Sequence, residues 1–183
     1  MSAPTNSVLE RIRQDIVSAL KGNGPSGAFT VANGFQNTVI DVVTPNPGLG
    51  NDTVDLRLVV LQGDATKEED CPETYLQFLQ DFHVICMVVE PEDSTVDIDA
   101  RLNSLASDVE RILCLLRGDT VGHGVTVGGQ TRGGWAEDTL LDSRRNVDAD
   151  TTSHDGQIAV TVQVRYRIQY NNPMASIYTY TGA

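Results

Sequence analysis

The sequence predicts one α+β domain, a mixed, mostly antiparallel sheet packed by two main helices. Two segments carry apolar residues at helical spacing: Leu9, Ile12, Ile16 and Leu20 in the first, and Ile98, Leu102, Leu105, Val109, Ile112 and Leu116 in the second. The apolar runs between and after them read as strands, most clearly where side chains alternate with a period of two. With 183 residues the chain is long enough for one domain with a real core. It has no internal repeat and no linker that would split it. Residues 1–173 are therefore expected to form a single domain, with 174–183 as a C-terminal tail.

Ser7-Val-Leu-Glu10 is a capping box, in which the Ser7 hydroxyl accepts from the Glu10 amide and the Glu10 side chain reaches back. Lys21 and Gly22 end that helix. Residues 22–27 read as a loop, 38–43 as a short strand, and 44–53 (TPNPGLGNDT) as a loop by its prolines and glycines. Val54 to Leu61 reads as a strand and 63–73 as a polar loop. Thr74 to Glu90 is a long strand with Leu76, Phe78, Phe82, Val84, Cys86 and Val88 on one face. Its other face turns apolar at Ile85, Met87 and Val89, so a central strand covered on both sides is expected. The second helix is expected over 95–117, with Ser94 as N-cap and Gly118 just past its end.

Residues 118–134 (GDTVGHGVTVGGQTRGG) hold seven glycines. Trp135 to Asp142 then reads as a strand and 143–156 as a polar loop. The last strand, Ile158 to Tyr170, is the most regular stretch of the chain. Ile158, Val160, Val162, Val164, Tyr166, Ile168 and Tyr170 form one row; Ala159, Thr161, Gln163, Arg165, Arg167 and Gln169 form the other. Such a strand buries one row and wets the other.

Composition narrows the function. Apolar residues make up 40% and charged residues 21%, the balance of a soluble globular protein. No run approaches the roughly 18 apolar residues of a membrane span, and the first residues carry no apolar signal region. The net charge of −12 and a pI near 4.4 argue against a surface that grips nucleic acid. Cys71, Cys86 and Cys114 are odd in number and far apart, which fits buried thiols in a reducing compartment.

Chemical motifs are absent from the sequence. The glycine-rich segment follows a helix and precedes a strand, the reverse of a phosphate cradle, and lacks GK[ST]. It is expected to order against a neighbour. His83, His123 and His154 have neither metal-ligand spacing nor a nucleophile beside them. The acidic clusters KEED (67–70), EPED (90–93) and NVDAD (146–150) read as solvated loops, since no calcium loop pattern is present. No cofactor, metal or catalytic residue is expected. A small enzyme or ligand-binding domain with its site near His123 is the weaker reading.

Arg165 and Arg167 project from one face of the last strand about 7 Å apart. They either pair with acidic groups on a neighbouring strand or meet an acidic partner, and the acidic protein at hand is another copy of this chain. Gln163 and Gln169 share their row, and Arg144, Arg145, His123 and Trp135 are further candidates for a subunit interface.

Four segments in this order, SVLERIRQDIVSALKG, LNSLASDVERILCLLRGD, WAEDTLLD and VTVQVRYRIQYNNP, resemble the tail terminator (tail completion) proteins of long-tailed bacteriophages. The resemblance implies a structural virion protein, not an enzyme. Its expected form is a homo-hexameric ring that caps the tail tube, stops tube polymerisation and presents a surface to the head–tail connector protein. The expected partners are further copies of the chain, the tail tube protein and that connector. DNA would pass through the lumen without specific binding, and no membrane is involved. Assembly would take place in the host cytoplasm and the product would sit at the head–tail interface of the virion. A connector or neck protein of the same particle is the alternative.

Overall fold

The computed structural model describes residues 7–21, 41–43, 56–68, 74–90, 95–114, 135–148, 155–170 and 172–176. The described residues form α1 (Val8–Leu20), β1 (Asp41–Val43), β2 (Leu56–Lys67), β3 (Tyr75–Val89), α2 (Ile98–Leu113), β4 (Asp138–Asp148), β5 (Asp155–Gln169) and β6 (Asn172–Ser176). The expected α+β domain with helices packed on one sheet is present.

Strand order across the sheet is β1-β2-β3-β5-β4, with β6 also paired to β5. The β1–β2 pairing is parallel and every other one is antiparallel. β3 and β5 pair in one unbroken register from Tyr75 opposite Gln169 to Val89 opposite Asp155. The long final strand is therefore interior. Its backbone edges are taken by β3 on one side and by β4 and β6 on the other.

Both helices cover the same face. Leu58, Val60, Phe82, Val84, Cys86, Val88, Val160, Val162 and Val164 are wholly buried there, in one cluster with Ile12, Ile16, Leu105 and Val109. Burial pushes the Cys86 thiol well above its ordinary range. Gly156 admits the close crossing of α2. A Cβ at that position would lie 2.6 Å from Leu102 Cδ1 and 2.8 Å from Ile98 Cγ2.

The helix ends differ in detail from expectation. Ser7 caps α1 by accepting from the Glu10 amide at 3.2 Å. The Glu10 carboxylate turns away from the cap to accept from Arg13 at 2.6 and 2.8 Å and from Gln14 at 2.8 Å, because those charged and amide donors lie one turn on. Val8 and Ala19 join Ile12, Ile16 and Leu20 on the buried stripe, and Leu9 packs at its margin. α2 starts later than expected. Asp97 is its cap, accepting from the Ala100 amide at 3.0 Å, which sets Asp99 in the first turn where the helix dipole favours it. α2 ends at Leu113, with Cys114 as C-cap. Ser94, Leu116, Gly118 and the glycine-rich segment lie outside the described residues, as do the loops at 22–27 and 44–53.

Two stretches expected as polar loops are strand. β2 runs on to Lys67 through a bulge between Gln62 and Ala65. The buried Gln80 side chain donates to the carbonyls of Gly63 at 2.8 Å and Asp64 at 3.0 Å, giving the bulge the partners its backbone needs. β4 starts at Asp138, not Trp135, and continues to Asp148 with two register shifts. Residues 140–146 are exposed, so the polar composition of this stretch is that of an outer strand. The chain then returns beyond β5. β6 carries the first residues after Pro173 back onto the sheet, with Ser176 opposite Ile168.

Candidate functional site

The face of the sheet away from the helices is the candidate site. β3 is central, but among the described residues neither helix covers its second side, although Ala159 and Thr161 on that side are buried. Ile85, Met87 and Val89 are only half-buried, as are Val59 and Leu61 on β2. None of these five packs against the helix-covered core. Register places them together. One row across the sheet holds Arg57, Met87 and Gln157, the next Val59, Ile85, Ala159 and Arg145, and the next Leu61, His83, Thr161 and Ser143. His83 Nδ1 lies 3.0 Å from the Thr161 hydroxyl.

At the far end of the same face, two arginines sit in a connected polar network. Arg165 Nε donates to Glu68 at 3.2 Å. Glu68 also accepts from the Gln77 amide nitrogen, and the Gln77 amide oxygen accepts from Arg167 Nε at 2.6 Å. Arg167 then pairs with Glu137 at 2.5 Å, and its guanidinium stands 4.7 Å from the centre of the Tyr75 ring. Register explains the chain of contacts, since Arg167 faces Gln77 directly across β3 and β5. Both arginines thus pair with carboxylates of their own subunit. On the covered face beneath, Phe78 and Tyr166 stack with centroids 5.5 Å apart, and burial pushes the Tyr166 phenol up.

Five of the eight candidate interface residues share the open face: Gln163, Arg165, Arg167 and Gln169 from β5, and Arg145 from β4. Gln163 is half-buried opposite Asp81, while Gln169 and Arg145 are exposed. Arg144 points to the other side. It ties the outer strand to α2 through Glu110 at 2.7 Å and Ser107 at 3.1 Å. Trp135 is half-buried against the core, with the Arg11 guanidinium 4.1 Å from its ring centre. His123 and His154 lie outside the described residues, as does Cys71.

Two acidic groups expected in solvated loops have fixed partners instead. Glu68 belongs to the network above, and the buried Glu90 pairs with Arg101 of α2. Sequence reasoning also missed the apolar patch on the open face. Its signal was the doubled apolar run at 85–89, which was read as buried on both sides. The exposure of Leu140 (37%) and Leu141 (44%) on β4 was equally missed, because the outer position of that strand depends on pairing and not on pattern. Among the described residues, no helix is long and apolar enough to cross a membrane. No family model matches the chain, and no curated protein matches it.

Proposed function

We propose that the chain is a structural virion protein, a tail terminator that forms a ring at the head-proximal end of a phage tail tube. In that role it ends tube polymerisation and joins tail to head. The observation that carries the reading is the two-sided sheet. Helices cover one face, and the other combines an apolar middle with a polar, arginine-bearing end, the anatomy of a protein interface. The order of the four sequence segments supports the family. The acidic balance of the chain suits a lumen through which DNA slides, since binding would require its phosphates to be neutralised.

The test adds purified protein to growing tail tubes and images them by negative-stain electron microscopy. One ring at one end of each tube and halted growth are expected. Tubes that lengthen unhindered beside the protein overturn the reading. A ring that seats on the head connector while tubes keep growing assigns the chain to the neck instead.

A further inference from the structure

We propose that copies of this chain join through two different surfaces: the apolar patch around Ile85 and Met87 of one copy receives the start of α2 of the next. The patch consists of Val59, Ile85 and Met87, with Arg57 and Arg145 at its two ends in adjoining rows. The start of α2 has the complementary chemistry. Val96 is 49% exposed, and it is followed by Asp97 and Asp99, both exposed. It is a protruding apolar side chain beside two carboxylates.

Charge dictates how the copies pair. The charged residues that flank the patch itself are Arg57 and Arg145, so two patches brought together would set arginine against arginine, and two α2 starts would set Asp97 and Asp99 against their own copies. Crossed pairing alone puts an apolar group on an apolar patch and opposite charges side by side, with Asp99 facing Arg145. The contact is therefore heterologous, and its two halves lie on opposite layers of the domain, one on the open sheet face and one on the helix side. Repetition of such a contact runs from copy to copy and closes into a ring when the rotation allows. The outer strand β4 is the poorer joint. Its two register shifts and its exposed arginine guard the edge against pairing.

This inference deepens the ring reading and depends on it only for closure. The experiment measures assembly of the full chain by sedimentation velocity, with negative-stain images of the particles. Wild-type protein is expected to form closed rings. Arg145→Glu and Asp99→Arg should each weaken assembly at least about tenfold, and the double variant should regain most of it, as expected for a charge pair across an interface. Val96→Asp, at an exposed position that leaves the core intact, should also disperse the particles while its thermal melt stays that of the wild type. Wild-type protein that stays monomeric, Val96→Asp that assembles normally, or a double variant no better than the singles each overturns the contact. Open filaments lost in the Val96→Asp variant support the contact and count against the ring. Rings that form but ignore tail tubes leave the contact standing and sink the terminator reading.

Discussion

Val84 and Ile85 are neighbours on β3 and equally apolar, yet Val84 is wholly buried and Ile85 half-exposed. The same division runs along β5, where Val160, Val162 and Val164 vanish under the helices while Gln163, Arg165 and Arg167 stay partly in reach of solvent. The difference lies in what packs on each face and not in the strand itself. Helices α1 and α2 both settle on one side, so the two faces of a single sheet have different duties. One holds the helices, and the other lies away from both of them.

The comparison can be broken most directly by truncation. Phe82→Ala on the covered face should cost about 3–5 kcal/mol, because it leaves a cavity in a closed core. Ile85→Ala on the open face should cost about 1 kcal/mol, since that side chain is already partly in water. Urea titration of both variants measures the difference, and equal losses would show that the two faces are buried alike. Gly156→Val comes next, at about 1–3 kcal/mol, because the new side chain must displace Leu102 and Ile98 where α2 crosses β5. Normal stability of this variant in the same titration would mean that α2 can lift away from the sheet.

On the open face, the double reversal Arg165→Glu with Arg167→Glu should cost about 1–2 kcal/mol, since each new carboxylate would face Glu68 or Glu137. The subunit should stay folded by circular dichroism and fail to assemble in sedimentation. Normal assembly would confine the network to holding the sheet. Ser7→Ala should cost about 1 kcal/mol by leaving the Glu10 amide without its acceptor, read as a lower thermal midpoint.

The smallest effect expected is one of pH. The Arg13 guanidinium holds the Glu10 carboxyl below its ordinary 4.5. A carboxyl depressed in the folded state stabilises above its unfolded value, and that contribution fades as pH falls through the folded value. Thermal midpoints of wild type and Glu10→Gln should therefore differ slightly at neutral pH and converge below the carboxylate range.

The elements of this fold were legible wherever side-chain period and local capping decide the outcome. Ser7 caps α1, the stripe from Leu102 to Ile112 is buried, and the alternation of β5 holds from Val160 to Arg167 except at Thr161. Ala159 and Thr161 of the row expected wet are buried, and Tyr170 of the row expected buried is exposed where the strand ends. Where partners distant in sequence decide, the reading failed. The polar run after Gln62 is strand because Gln80, on the next strand, satisfies its bulge. Residues 143–148 are strand because β5 offers an edge, a fact no local pattern contains. The candidate face was half legible. The arginine row was found, whereas the apolar patch beside it was assigned to the core, because hydrophobicity alone does not tell which side of a sheet the helices take.

The unbroken pairing of β3 with β5 also bears on how the chain finds its structure. β2–β3 and β4–β5 are hairpins, each local in sequence, whereas the seam between them joins partners as distant as Tyr75 and Gln169, 94 positions apart. Hairpins close within microseconds, while joining distant segments carries the loop entropy of everything between them. Closing the seam is therefore the step expected to be slow in folding, with α2 lying in sequence between the two halves it must bring together. Until it closes, β3 and β5 each expose a long free edge to other chains. With both edges unpaired, the chain passes through its moment of greatest risk of joining wrongly.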